Sequence, residues 1–161
     1  LFCSIVFDKK SLWLSEIKSV LELLEDTRGK VYPFKYPFTY SSSFEGKIRI
    51  TNNGAVKASL RVEMLGNVNN PEVTIKSSDN DISRLKLNLI EEDVLIVVDA
   101  NVTDQKMIKI KNGVTTDIYH LQDFREDNFL FLPIGTFDIS FLPGSGPATC
   151  KITFTEGHLG N

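Results

Sequence analysis

Met107-Ile108-Lys109-Ile110-Lys111-Asn112-Gly113-Val114-Thr115-Thr116-Asp117-Ile118-Tyr119 is the stretch on which the fold turns. Asn-Gly accepts the positive φ angles of a tight turn, and the flanking runs suit a pleated surface, so the stretch reads as a β-hairpin. The period-two signal continues on either side. Val94-Leu95-Ile96-Val97-Val98 is an unbroken apolar run rich in β-branched residues, as in a strand covered on both faces. Ile48 and Ile50 alternate with Lys47, Arg49 and Thr51, and Leu60, Val62 and Met64 alternate with Arg61, Glu63 and Leu65, as half-buried strands do. Asn52-Asn53-Gly54 between them is turn chemistry and predicts a second hairpin. Residues 129–132, 134–141 and 148–154 follow as further short strands, broken by Pro133, Gly135 and the Pro143-Gly144-Ser145-Gly146-Pro147 loop. Many short strands separated by turns indicate an all-β antiparallel sandwich or barrel. Its exposed loops are expected at residues 66–71, 77–82, 99–105 and 122–128.

The first 40 residues read differently. Ser15 is placed to cap a helix, Glu16 suits a first turn, Ile17, Val20, Leu21 and Leu24 recur at helical spacing, and Gly29 ends the pattern. Tyr32-Pro33-Phe34-Lys35-Tyr36-Pro37-Phe38 repeats Tyr-Pro-Phe; proline lacks an N–H and holds its predecessor extended, so a linker or edge segment is expected. The predicted organisation is a strand, short helix and connector over residues 1–40, and a sandwich over residues 41–161 whose body runs from Phe44 to Phe154. Leu1 to Phe7 is too short to span a membrane and lacks a basic flank and a starting Met. The chain is therefore expected to be a fragment, its first residues the last strand of a preceding unit.

The chain has 161 residues with 18 Lys and Arg against 21 Asp and Glu, a formal charge of −3, which is not the basic excess of a nucleic-acid binder. With 42% hydrophobic and 24% charged residues, the composition is that of an ordinary globular domain able to build one core. Cys3 and Cys150 have neither C-x-x-C spacing nor companion histidines and are expected to be buried thiols, a disulfide between them being the alternative. Asn101-Val102-Thr103 fits a glycosylation acceptor, a pattern with meaning only in a secreted chain.

Candidates for chemistry are thin. His120 stands near Asp123 and Glu126 but without a nucleophile elbow or metal-ligand pair, and His158 lies in a Gly-rich tail, so both are expected on the surface. Glu91-Glu92-Asp93 reads as a charged turn before a strand rather than the separated carboxylate pair of a glycosidase. Asp79-Asn80-Asp81 spaces oxygen ligands as calcium loops do, but lacks the following Gly and distal Glu of an EF-hand. Gly144-Ser145-Gly146-Pro147 opens no helix and is a loop, not a phosphate cradle. The residues best suited to an interface or to stacking on sugar rings are Trp13, Tyr32, Phe34, Tyr36 and Phe38, with core packing the plainer reading of Trp13 and an intradomain contact the alternative for the rest.

Three patterns, in order, resemble the C-terminal sandwich domain of the distal tail proteins of long-tailed bacteriophages. The first is Ile50-Thr51-Asn52-Asn53-Gly54, followed after one strand by Leu65-Gly66-Asn67-Val68-Asn69-Asn70-Pro71-Glu72-Val73-Thr74-Ile75. The second is Lys111-Asn112-Gly113 with Leu121 downstream. The third is Asn128-Phe129-Leu130-Phe131-Leu132-Pro133-Ile134-Gly135-Thr136-Phe137-Asp138-Ile139-Ser140-Phe141. A Phe-Cys strand followed by Leu12-Trp13-Leu14-Ser15-Glu16 is similar to the family's exit from its ring-forming N-terminal domain. The resemblance covers about residues 1–155. It implies a jelly-roll or galectin-like sandwich serving as a structural, non-enzymatic part of a phage or prophage tail, without cofactor or metal, assembled in the bacterial cytoplasm and carried in the virion. It implies docking to other tail proteins (tube, tail-tip or receptor-binding proteins), with no nucleic-acid or membrane partner. The alternative function is a carbohydrate-binding module for host cell-surface glycans. The family forms hexameric rings through its N-terminal domain, so the full-length protein is expected to be a homo-hexamer and this fragment a monomer.

Overall fold

The computed structural model describes residues 12–17, 46–78, 80–146 and 148–159, with residues 12–17 and Leu159 described by their backbone. Eleven strands follow in order: β1 (Leu12–Ile17), β2 (Gly46–Asn52), β3 (Ala58–Asn69), β4 (Glu72–Ser77), β5 (Asn80–Lys86), β6 (Ile90–Asp99), β7 (Lys106–Lys111), β8 (Val114–Asp117), β9 (Phe131–Leu132), β10 (Gly135–Leu142) and β11 (Ala148–Leu159). One 3-10 turn, Tyr119–Leu121, is the sole helical element among the described residues. A seven-stranded sheet runs β1-β11-β3-β6-β7-β8, with β9 paired off this path to the start of β3. A four-stranded sheet runs β2-β10-β4-β5. All pairings are antiparallel. The antiparallel β-sandwich expected from the period-two pattern is thus the fold.

Alternation decides which side chains fill the space between the sheets. On β3, Leu60, Val62 and Met64 are buried, while Arg61 and Glu63 are half-exposed on the opposite face. They meet Ile96 and Val98 of β6, Met107 of β7 and Cys150, Ile152 and Phe154 of β11 in one cluster with Ile50, Val73, Ile75, Ile139 and Phe141 of the smaller sheet. The Val94–Val98 run, expected to be covered on both faces, is so only in part: Val97, on the outer side, is 3% exposed, but Leu95 on the same side is half-exposed. The Asn112-Gly113 hairpin forms as predicted: Lys111 pairs with Val114 and the two turn residues have φ of 52° and 76°.

Asn52-Asn53-Gly54 does not make a hairpin. β2 and β3 belong to different sheets, and the residues between them carry the chain across the sandwich. Asn52, 1% exposed, donates through Nδ2 to the carbonyls of Val56 (3.0 Å) and Leu132 (3.1 Å), and its Oδ1 accepts the Gly54 N–H (2.9 Å). The crossing is stitched to β11 as well: Asn53 N–H donates to Glu156 Oε1 (2.8 Å) and Ala55 N–H to the Gly157 carbonyl (2.7 Å). Glycine at position 54 answers to space, because a Cβ there would stand 2.9 Å from Asn52 Oδ1 and 3.0 Å from the Gly157 carbonyl oxygen.

Other expectations are corrected in detail. Ser15, Glu16 and Ile17 lie in β1, where they pair with Glu156, Thr155 and Phe154, so no helix begins at Ser15; the rest of that helical pattern lies outside the described residues. Pairing along the edge of β11 overrides the local capping signal. β11 runs through His158, which is therefore in a strand rather than a loose tail. The strand read over residues 129–132 shortens to Phe131–Leu132. Glu91-Glu92-Asp93 sits within β6: the pairing slips between Gly66 and Val68, leaving Glu92 and Asp93 opposite Asn67, whose Oδ1 accepts the Asp93 N–H (3.0 Å). The predicted loops at 66–71 and 77–82 are shorter than expected, because β3 extends to Asn69 and β5 starts at Asn80.

Candidate docking surface

Between β8 and β9 the chain lays a long loop along β5, the edge strand of the smaller sheet. Its ends are anchored by core residues: Ile118 is fully buried and donates its N–H to the Met107 carbonyl (2.9 Å), and Leu130, 1% exposed, accepts from the Leu60 N–H (3.1 Å). Between them the loop satisfies the open edge. Asp123 N–H bonds to the Lys86 carbonyl (2.9 Å), Asp127 N–H to the Arg84 carbonyl (2.8 Å), and the Leu121 carbonyl accepts the Asn88 N–H (2.6 Å). Asp127 Oδ2 accepts both the Ser83 hydroxyl (2.6 Å) and the Arg84 N–H (3.0 Å). An edge covered this way cannot pair with another strand, and the loop's conformation is fixed in advance of any contact.

This fixed loop presents aromatic surface. The Tyr119 ring meets Phe124 edge-on at 6.1 Å between centroids and lies nearly parallel to Phe129 at 6.3 Å. Asn128 Nδ2 donates to the Tyr119 hydroxyl (3.2 Å). Phe129 packs against the core, whereas Phe124 is 65% exposed and Tyr119 40% exposed. A phenylalanine held open by a hydrogen-bonded loop adds little to folding, which makes it a candidate contact residue. In the same loop Gln122, 2% exposed, has no hydrogen-bond partner at either side-chain amide atom. Sequence reading placed an exposed loop at 122–128 but did not single out Tyr119, Phe124 or Phe129; the available signal was one phenylalanine inside the polar run Gln122 to Asn128.

The outer face of the larger sheet is a second, aliphatic surface. Register places Leu65, Leu95 and Ile110 in one row across β3, β6 and β7, with Thr149 of β11 beside Leu65. A shallow hollow of about 160 Å³ lies over Glu63, Leu65, Leu95, Thr149, Cys150 and Lys151. Leu65 is 55% exposed. The row carries no aromatic ring. Beside it, burial pushes the Glu63 carboxyl up, but hydrogen bonds from Arg61 and Lys151 outweigh this and hold it below the usual carboxylate range.

The candidates from the sequence fall apart as reactive centres. Trp13 is in β1, opposite His158 in register; Tyr32, Phe34, Tyr36 and Phe38 lie outside the described residues. His120 is exposed on the aromatic loop, while the neighbouring Asp123 accepts the Arg125 N–H (3.1 Å) and Glu126 stands 3.9 Å from Arg84. Glu91 is clamped between Lys109 and Lys111, whose hydrogen bonds hold its carboxyl below the ordinary range. Asp81 is taken up by Arg84 and Lys76 beside the β4–β5 turn, and Asp79 lies outside the described residues. Burial pushes the Cys150 thiol up to about 12, which keeps it protonated and unreactive; Cys3 lies outside the described residues. Among the described residues no group of three or more His, Cys, Asp or Glu is placed to hold a metal, and no helix is long and apolar enough to cross a membrane.

No family model and no curated protein matches the sequence. Solved structures do match in fold. The crystal structure of the SPP1 Dit (gp 19.1) protein, a hub of the adsorption apparatus in phages infecting Gram-positive bacteria, superposes with a TM-score of 0.54 over 71% of this chain and 47% of that one, at 14% identity. Phage p2 baseplate structures in the activated conformation, with strontium and with calcium, match at a TM-score of 0.52 over 91% of this chain and 52% of theirs, at 12% and 13% identity. The chain thus has the fold found in phage hub and baseplate proteins and spans about half the length of the chains it matches.

Proposed function

We propose that this chain is the peripheral sandwich domain of a phage or prophage distal tail protein, a structural part of the tail that docks other tail proteins. The observation that carries the reading is the shared fold with the SPP1 Dit hub protein and the p2 baseplate. The three sequence patterns that resemble the same family agree with it. The surface chemistry suits docking: a stiff loop with two exposed aromatic rings, an aliphatic row on the outer sheet face, and the carboxylates of Glu63 and Glu91 tied into ion pairs. The division near residue 40 is part of the proposal. Residues 1–40 lead from a ring-forming domain, and within them β1 completes an edge of the larger sheet. The ring assembles as a hexamer, and this segment alone is a monomer.

Immunogold labelling of tailed particles from the source strain, with antibodies raised against this chain, tests the reading. Gold at the distal end of the tail is expected. Particles with unlabelled tails, alongside label on free protein only, would refute it. The glycan-binding alternative draws on Tyr119 and Phe124, whose exposed rings could stack on a sugar; its test is a titration with cell-wall oligosaccharides.

A further inference from the structure

The loop that carries Tyr119, Phe124 and Phe129 has a charge as well as a shape. From residue 117 to residue 128 it holds Asp117, Asp123, Glu126 and Asp127 against the single cation Arg125. Three of these carboxylates spend one oxygen on the loop and its anchor. Asp117 Oδ1 accepts the Tyr119 N–H (3.1 Å), Asp123 Oδ1 the Arg125 N–H (3.1 Å), and Asp127 Oδ2 the Ser83 hydroxyl (2.6 Å) and Arg84 N–H (3.0 Å). Each keeps its other oxygen without a partner among the described residues. Glu126 stands 3.9 Å from Arg84 of β5, a cation that also serves Asp81 and Glu72. Asp117, Asp123 and Asp127 make no ion pair among the described residues, so the aromatic patch is bordered by three carboxylates that no cation neutralises.

We propose that this loop receives a basic segment of a partner protein, a Lys or Arg side chain with apolar neighbours, its cationic head against the rings and carboxylates and its neighbours against Phe124. The proposal deepens the tail-docking reading and rests on it. Aromatic faces attract cations electrostatically, and the fold already uses that attraction where Lys57 Nζ lies 4.6 Å over the Phe131 ring. Charge complementarity favours this occupant over the others. An anionic polymer is repelled by the carboxylates, and a neutral sugar leaves their charge uncompensated. The loop pays little ordering entropy on contact, because its backbone is bonded to β5 before any partner arrives.

The test uses the full 161-residue chain, isotopically labelled, and follows amide shifts during titration with defined probes. The probes are the peptide acetyl-Leu-Arg-Leu-Lys-Leu-amide, the same peptide with Glu in place of both basic residues, and a chitin oligosaccharide. The basic peptide is expected to shift resonances of the 117–129 loop and to bind at least about tenfold more tightly than the acidic one, with affinity falling as salt rises from about 50 to about 500 mM. Phe124→Ala should abolish the loop shifts, Asp123→Asn should weaken binding several-fold, and Val102→Ser, on another loop, should change nothing. Phe124 is exposed, so its loss should leave the amide spectrum otherwise folded. Equal binding of both peptides, no shifts in the loop, or shifts with the oligosaccharide alone would overturn the proposal. Such a result beside gold-labelled tail tips removes this partner chemistry and leaves the tail assignment standing; unlabelled tails remove the assignment itself.

Discussion

Asn52→Ala is the substitution that most sharply separates an inter-sheet crossing from a hairpin turn. In the crossing, Asn52 is buried and its amide makes three hydrogen bonds, to the Val56 and Leu132 carbonyls and from the Gly54 N–H. Truncation removes all three and strands the Leu132 carbonyl in a buried setting. At about 0.5–1.5 kcal/mol for each bond, with a further cost for the orphaned group, the expected loss is about 3 kcal/mol. For a chain of this size that corresponds to a fall of about 6–12 °C in Tm. Asn53→Ala is the control, because the exposed Asn53 contributes its backbone N–H to Glu156 and keeps it after truncation; a change within about 0.5 kcal/mol is expected. Urea unfolding followed by far-ultraviolet circular dichroism measures both. A loss below about 1 kcal/mol at Asn52, or equal losses at the two positions, would refute the crossing as described.

The closing loop gives a second prediction: Gly144 has φ of 79° and a Cβ there would stand 1.8 Å from the Asn69 carbonyl oxygen, so Gly144→Ala should cost more than about 3 kcal/mol in the same urea assay. Glu91 gives a third. Hydrogen bonds from Lys109 and then Lys111 lower its folded pKa, so its stabilisation is complete above the ordinary carboxylate value of about 4.3 and is lost as pH falls through the lowered folded value. Glu91→Gln should therefore flatten the loss of urea midpoint between about pH 5 and about pH 2, and an unchanged acid limb would contradict this. In a Cys3→Ser chain, Cys150 should resist a thiol reagent until the protein is unfolded; rapid labelling of the native chain at neutral pH would show the thiol to be accessible.

Much of the fold was legible because its signals are local. Asn112-Gly113 names its own turn, the alternation through Leu60, Val62 and Met64 names a buried face, and the β-branched run at Val94 names a central strand. Asn52-Asn53-Gly54 misled because turn chemistry reports a change of direction and not which sheet the chain joins next. Gly54 meets a packing limit there rather than supplying a positive φ. Ser15 and Glu16 misled for the opposite reason: a sound local capping signal yields to pairing with Thr155 and Glu156, which are distant in sequence. The aromatic loop was the least legible feature. Tyr119 and Phe129 stood at the margins of predicted strands, and only the bonds from Asp123 and Asp127 to β5 hold them beside Phe124.

A cryo-electron-microscopy reconstruction of the intact tail tip would show both where the chain sits and what its aromatic loop touches. The sandwich is expected at the periphery of a ring, with Phe124 buried against a basic and apolar segment of a neighbouring chain. A tail that lacks the chain, or one in which Phe124 stays open to solvent in every copy, would contradict this arrangement.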